Sequence, residues 1–204
     1  MSSERSIEAV AVGASAGGIE ALIVLLEAIP LGFEPPILIV MHIPSNNGDL
    51  LLDVLRPHCL SPLRQAEDKD VPEAGTVYVA PPGYHLLVEP ARTLALSVDE
   101  PVNFSRPSID VLFESAAYAY GPGLLGIVLT GANEDGAHGL KAIRSAGGLG
   151  WVQEPQTAVA SVMPRSAIEL AGADRILPLP QLASELAALG TPRCSAEHRR
   201  RPGR

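Results

Sequence analysis

VAVGASAGG, residues 10–18, decides the fold: an apolar run breaks into small residues around a single hydroxyl, and a helical pattern follows at once. Two further apolar runs, PILIVMH (36–42) and LLGIVLT (124–130), are also followed by segments with helical spacing. Short runs that are apolar throughout are typical of parallel strands buried on both faces. We therefore predict an α/β fold with a doubly wound, mainly parallel sheet flanked by helices, Rossmann-like in its layers.

The remaining segments complete this prediction. Residues 76–98 contain TVYVAPP, YHLLVE and TLALSVD between turn residues, which predicts a β-meander or hairpin inserted in the chain. RPSIDVLFESAAYAY predicts a helix with proline near its start, where a missing N–H is tolerated. GLGWVQ predicts another strand, and MPRSAIELAG and LPQLASELAAL predict two more helices. We assign residues 1–190 to one domain and expect residues 191–204, which are polar, basic and aperiodic, to form a disordered tail.

Composition disfavours several classes of protein. A net charge of −8 and a pI near 5.1 argue against nucleic-acid binding, which needs a surplus of Lys and Arg. Cys59 and Cys194 lie far apart without a metal-ligand spacing, so neither a disulfide framework nor a zinc site is indicated. The start carries no secretion signal, and no stretch approaches the ~18 uninterrupted apolar residues of a membrane span. We expect a cytoplasmic protein that is not inserted in a membrane.

The small-residue loop after the first strand fits two nucleotide-binding motifs badly and one catalytic motif well. A dinucleotide fingerprint needs glycine in place of Ser15 and an acidic residue closing the second strand, which instead ends in Met41 and His42. A Walker loop needs a lysine after its glycines, and here Ile19 and Glu20 follow them. Residues 13–17 match G-x-S-x-G, a sharp turn between strand and helix that exposes a nucleophilic serine. A second interpretation stays open, in which Ser15 only caps the first helix.

A base and an acid are available at the same edge of the predicted sheet. The carboxyl ends of parallel strands share one edge, and sites form where the strand order reverses. His42 ends the second strand and Asp135 follows the third central strand, so both are expected near Ser15. His138 is a rival base and Glu134 a rival acid, while Asp135 also suits the cap of the following helix. The chain order Ser, His, acid differs from the order Ser, acid, His of α/β-hydrolases.

Six blocks carry a family resemblance: VGASAGGIEAL, VMHIP, AEDKDVPEAGTVYVAPPGYHL, RPSIDVLFESAA, VLTGANEDGAHGLKAIRSAGG and MPRSAI. In this order, from about Ile7 to Leu189, the chain resembles the catalytic domain of the chemotaxis protein-glutamate methylesterases, the CheB-type family. The resemblance implies a doubly wound, mainly parallel sheet with an antiparallel hairpin. It also implies hydrolysis of glutamate γ-methyl esters on methylated chemoreceptor helices, with glutamine deamidation in many members.

The resemblance implies roles for single residues. Ser15 is then the nucleophile, His42 the base and Asp135 the acid, without a metal or organic cofactor. Four further side chains are placed near the receptor-binding cleft, although each also suits a purely structural place at a helix start or in the hairpin. These are Tyr84, His85, Arg106 and Ser108.

The oxyanion of an acyl transfer needs N–H donors, and we predict the backbone amides of Ala16, Gly17 and Ala132 for this role. Several family members carry Thr or Ser at the position of Ala16 and Met at the position of Ala132. The alanines found here cannot offer a side chain to assist in binding the oxyanion. We expect that no receiver domain of the kind typical of the family precedes the first strand, and therefore expect an ungated site. Regulation is then expected in trans, from a separate response regulator or from local concentration at the receptor array.

Two other functions stay open at this stage. One is a serine esterase or amidase for a small molecule, in which the specificity for receptors has been lost. The other is a signalling module without enzymatic activity that docks on receptors through the same cleft. Retention of Ser15, His42 and Asp135 favours an enzyme.

Overall fold

The computed structural model describes residues 6–43 and 48–190, and the predicted tail and Cys194 lie outside the described residues. Helices and strands alternate outside residues 63–97, which hold four strands in succession, and none of the helices described is long and apolar enough to cross a bilayer. The elements are β1 Ala9–Ala14, α1 Gly18–Ala28, β2 Ile37–Met41, α2 Gly48–Leu55, β3 Leu63–Gln65, β4 Val77–Val79, β5 His85–Val88, β6 Leu94–Ser97, α3 Ile109–Tyr120, β7 Leu124–Val128, α4 Ala137–Ser145, β8 Leu149–Gln153, α5 Val162–Ala171, β9 Arg175–Leu177 and α6 Leu179–Leu189.

Seven strands form one sheet in the order β3-β4-β2-β1-β7-β8-β9, and every neighbouring pair is parallel. The three central strands β1, β2 and β7 are buried at every residue. Their runs are apolar throughout because helices cover both faces of the sheet. β5 and β6 form a separate antiparallel hairpin. The predicted fold class, a doubly wound parallel sheet with an antiparallel hairpin, is confirmed.

One part of the segment 76–98 was assigned wrongly from the sequence. TVYVAPP is predicted to belong to the inserted meander or hairpin, whereas β4 within it pairs parallel with β2 in the main sheet. Three residues carry too little periodicity to distinguish the two kinds of pairing, which depend on the path of the chain. The edge strands β3 and β9 went unpredicted because each has three residues, two or more of them not fully buried, and no apolar run.

Helices lie on both faces of the sheet and divide the core into two layers. Residues of α1, α2 and α6 pack on one face, while residues of α3, α4, α5 and the hairpin pack on the other. β1 leads into α1 on the first face, and its neighbour β7 leads into α4 on the second. The strand order therefore reverses between β1 and β7, and open α/β sheets bind ligands outside the strand ends at such a point.

Candidate active site

Ser15 and His42 lie side by side where the central strands end. The pairing of β1 with β2 runs to the last residue of each strand, and the next step of the register puts Ser15 beside His42. The N–H of His42 donates to the carbonyl of the last residue of β1 (3.1 Å), and that of Ser15 donates to the carbonyl of Thr130 (2.9 Å). Gly13, two residues before Ser15, and Val40, two residues before His42, face the layer of the core that contains α3. Because side chains alternate along a strand, Ser15 and His42 face the same layer.

His42 is hydrogen-bonded to Asp135, which lies in the loop between β7 and α4. The imidazole Nε2 is 2.8 Å from a carboxylate oxygen of Asp135; His42 is 12% exposed and Asp135 fully buried. The other ring nitrogen, Nδ1, makes no hydrogen bond with any residue in the described ranges, and neither does the Ser15 hydroxyl. A carboxylate on Nε2 favours the tautomer with its proton there, which leaves the Nδ1 lone pair free to accept a proton.

The Asp135 carboxylate accepts five hydrogen bonds. Oδ2 accepts from His42 Nε2 and from the N–H of Ile109 (2.6 Å). Oδ1 accepts from Asn103 Nδ2 (3.1 Å), Ser108 Oγ (2.8 Å) and the N–H of Asp110 (3.1 Å). Burial raises the pKa of Asp135, but the bonds from His42, Ile109, Ser108 and Asn103 together outweigh burial and hold the pKa below its usual value. Asp135 is therefore an ionised carboxylate at neutral pH.

Asp110 makes the reciprocal contact with the next helix. Asp135 precedes α4 and binds N–H groups at the start of α3, whereas Asp110 lies in the first turn of α3 and binds N–H groups at the start of α4. Its Oδ1 accepts from the N–H of Gly136 (2.9 Å) and of Gly139 (2.7 Å), and its Oδ2 accepts from Asn103 Nδ2 (2.9 Å). Burial, joined by the nearby charge of Asp135, raises the pKa of Asp110.

Two amides just before α1, those of Ala16 and Gly17, donate to no described residue. Gly17 has a φ of +75°, which turns the chain sharply after Ser15 and which glycine adopts without strain. No described residue accepts a hydrogen bond from the N–H of Ala16, Gly17 or Ala132. The buried hydroxyl of Thr130 donates to the Ala16 carbonyl (2.8 Å). Because a peptide unit is planar, this bond also fixes the direction of the Gly17 N–H.

A cleft of about 480 Å³ opens beside His42. Its lining includes Ile43, Gly83, Phe104 and Arg106. The Phe104 side chain is fully exposed, and its φ of +60° is uncommon for a bulky residue. Arg106 donates from Nη1 to the carbonyls of Val98 (2.7 Å) and Asp99 (3.0 Å), while its buried Nε finds no hydrogen-bond partner among the described residues. The cleft thus offers an exposed aromatic ring and a cation close to the imidazole.

The four side chains assigned to the receptor cleft separate into two pairs. Arg106 lines the cleft and Tyr84 is 43% exposed, so both are accessible from solvent. His85 and Ser108 are buried. His85 Nδ1 accepts from the N–H of Ser108 (3.1 Å), and its Nε2 donates to the carbonyl of Glu100 (3.1 Å). His85 therefore supports Ser108, which in turn donates to the Asp135 carboxylate.

The rival residues lie elsewhere. His138 and Glu134 are exposed and line a separate cavity of about 320 Å³ beside α4 and α5. The structure brings His42, and not His138, to Asp135. Within residues 6–43 and 48–190, no group of three or more His, Cys, Asp or Glu side chains is placed to hold a metal ion.

Sequence reasoning missed three residues of the site: Asn103, Asp110 and Thr130. Each acts through a hydrogen bond to a residue more than twenty positions away along the chain. Asp110 carries the one available signal, because an acidic residue in the first turn of a helix is a common sign of an N-terminus. That signal does not show which second helix Asp110 contacts.

Comparisons with known proteins agree with the fold over nearly its whole length. The sequence model described as CheB methylesterase matches residues 10–186. Proteins from two serovars of Leptospira interrogans, each named "Putative protein-glutamate methylesterase/protein-glutamine glutaminase", are 49% identical over 176 residues, which are 86% of this chain and 91% of each relative. The protein-glutamate methylesterase/protein-glutamine glutaminase of Trichodesmium erythraeum is 40% identical over 183 residues, and the chain spans about half, 52%, of its length. The crystal structure of the Thermotoga maritima CheB methylesterase catalytic domain matches with a TM-score of 0.86 and 29% identity, over 90% of this chain and 99% of that one.

Proposed function

Because the chain belongs to the CheB methylesterase family, we propose that it hydrolyses glutamate γ-methyl esters on the cytoplasmic helices of chemoreceptors and releases methanol. The observation that carries this proposal is the 2.8 Å contact between His42 and the buried Asp135 beside Ser15, whose hydroxyl makes no hydrogen bond to a described residue. A nucleophile, a base and an oriented acid at one sheet edge are the parts that acyl transfer requires.

The first step forms an acyl-enzyme. His42 Nδ1 takes the proton of Ser15 as Oγ attacks the ester carbonyl, and Asp135 stabilises the imidazolium through Nε2. The imidazolium then gives its proton to the leaving methoxide, so that methanol departs and an acyl bond to Ser15 Oγ remains. The free Nδ1 and the free hydroxyl support this assignment, since neither is held by another described residue. Apo sites often close such a hydrogen bond only in the substrate complex.

The oxyanion of each tetrahedral intermediate needs donors that no protein group already occupies. The N–H groups of Ala16, Gly17 and Ala132 meet this condition among the described residues. Two of them lie at the start of α1, where the helix dipole adds a partial positive charge. We propose these amides as the oxyanion donors, with Thr130 fixing the peptide between Ala16 and Gly17.

The second step releases the product. Water loses a proton to His42 and attacks the acyl carbon, the bond to Ser15 Oγ breaks, and the serine recovers its proton from the imidazolium. Glutamine deamidation follows the same course with ammonia as the leaving group. The printed names of the Leptospira and Trichodesmium relatives include this second activity, and we propose it for this chain as well.

Substrate contacts are proposed for the accessible residues only. Tyr84, Arg106 and Phe104 border the cleft or are exposed near it. His85 and Ser108 are buried, and we propose that they support Asp135 instead of touching substrate. Neither step above requires a metal or organic cofactor.

The test is methanol release from receptor membranes that carry labelled methyl groups, with purified wild-type protein and the variant Ser15→Ala. The proposal expects release by the wild type and none by the variant. Hydrolysis of a small test ester without release from receptor would favour the small-molecule esterase. Binding to receptor membranes without hydrolysis of either substrate would favour the docking module.

A further inference from the structure

We propose that Asn103 is a positioning residue for the reaction: its amide joins the two buried carboxylates, Asp135 and Asp110, and keeps Asp135 charged and aimed at His42. This proposal rests on the proposed function because it assumes the same roles for Ser15, His42 and Asp135. Nothing in the family resemblance or in the names of relatives assigns a role to Asn103. Its role follows from a set of hydrogen bonds and from the backbone conformation of one turn.

The two carboxylates face each other across one amide nitrogen. Asn103 Nδ2 lies 2.9 Å from Asp110 Oδ2 and 3.1 Å from Asp135 Oδ1. An amide nitrogen carries two hydrogens, so it can donate one to each carboxylate. Two buried carboxylates repel each other, and burial already disfavours their charged forms. The amide therefore offsets part of the repulsion at the place where both charges are least solvated.

The backbone of the turn explains why asparagine suits this position. Val102 and Ser105 pair through two backbone hydrogen bonds, and the two residues between them both have positive φ, +51° for Asn103 and +60° for Phe104. Such a turn favours glycine and asparagine. Glycine would satisfy the turn equally well, but only asparagine also supplies the amide. A residue that served the turn alone would be replaceable by glycine without loss.

That difference defines the experiment. The probe is a fluorophosphonate that reacts with an activated serine, and the measurement is its rate of reaction at Ser15 as a function of pH, with Ser15→Ala as the site control. Asn103→Gly keeps the turn and removes both hydrogen bonds. Asn103→Asp keeps the size of the side chain and puts a third carboxylate beside the other two. Val102→Ala alters the same turn without touching either carboxylate and is the matched control.

We expect Asn103→Gly to react about tenfold to a hundredfold more slowly, the range that one charge-assisted hydrogen bond contributes. The acid limb of its pH profile should move upward, because Asn103 is one of the donors that lower the pKa of Asp135 and its loss lets this carboxylate take up a proton at higher pH. Asn103→Asp should be slower still, and Val102→Ala should match the wild type. Circular dichroism checks that each variant is folded.

Wild-type rate and pH profile in either Asn103 variant would overturn the proposal, so it stays testable even if one of the two fails to fold. A wild-type protein that does not react at Ser15 would overturn it too. Failure of the proposed function looks different: Ser15 reacts and depends on Asn103, yet methylated receptors release no methanol.

Discussion

The first turns of α1 and α3 meet the same site with opposite hydrogen bonding. At α1 the cap residue is Gly17, no side chain caps the helix, and the N–H groups of Ala16 and Gly17 have no partner among the described residues. At α3 the N–H groups of Ile109 and Asp110 are both bound by the carboxylate of Asp135. One helix start is open, and the other already holds an anion.

The difference follows from when each negative charge exists. A helix N-terminus attracts anions through its free N–H groups and its dipole. The charge of Asp135 is permanent, so α3 can bind it in the folded protein and use it for stability. The proposed oxyanion would exist only during the reaction, so the N–H groups of Ala16 and Gly17, just before α1, are expected to stay free for it. Changes at the α1 start should therefore affect the rate alone, whereas changes at the α3 start should affect both rate and stability.

The largest effect is expected from Ser15→Ala on the open side. Loss of the nucleophile should lower kcat by about 10⁵- to 10⁶-fold, as in other serine hydrolases. The free energy of unfolding should change by no more than about 0.5 kcal/mol, because the hydroxyl makes no hydrogen bond to a described residue. Methanol release and urea unfolding measure the two quantities. A large loss of stability would break the comparison.

Asp135→Asn is the corresponding change at the start of α3, where the carboxylate binds the N–H groups of Ile109 and Asp110. It should lower kcat by about 10⁴-fold, because an amide no longer fixes the tautomer of His42. It should also lower the free energy of unfolding by about 1–3 kcal/mol, since the new NH₂ group faces N–H donors of α3. Glu134→Gln, at the exposed neighbouring position, is the control and should change neither. A variant of Asp135 with wild-type stability would contradict the role of α3.

The same contrast predicts a pH dependence of stability. The pKa of Asp135 is lower in the folded than in the unfolded protein, so its ionised form contributes stability that is fully present above the unfolded value, near 3.8, and is lost as the pH falls toward the folded value. The stability difference between wild type and Asp135→Asn should therefore shrink below about pH 4. Ser15→Ala should show no such trend. Urea unfolding at a series of pH values measures both.

A smaller effect is expected from Thr130→Val on the open side. Removal of the hydroxyl releases the Ala16 carbonyl and lets the Gly17 N–H turn away, which should lower kcat by about tenfold, less than the complete loss of an oxyanion donor. Thr130→Ser keeps the hydroxyl and should recover most of the rate. Equal rates in the Val and Ser variants would show that the Ala16–Gly17 peptide needs no such anchor.

The smallest effect is expected from His138→Gln, which tests the assignment of the base. His138 is exposed and lines the separate cavity beside α4 and α5, so its loss should leave methanol release unchanged. His42→Gln should abolish release. A clear loss of activity in His138→Gln would give His138 a part in the reaction that its position does not suggest.

The sequence alone determined the layers of the fold and the three strand ends that carry the site. The runs ending near Ser15, His42 and Thr130 are short and apolar throughout, and such runs have few other places than the centre of a parallel sheet. The common edge of parallel strands then brings polar residues at their ends together. The hydrophobicity of neighbouring residues and its pattern are local properties of a sequence, so they can be recognised before the structure is known.

Only the tertiary structure decided the rest. The place of β4 in the main sheet and the contacts of Asn103, Asp110 and Thr130 depend on residues far apart in the chain. A side chain that caps a helix other than its own leaves no periodic pattern in the sequence. Its partner is fixed when packing brings α3 and α4 together, because hydrogen bonds depend on distance and direction in space and not on spacing along the chain.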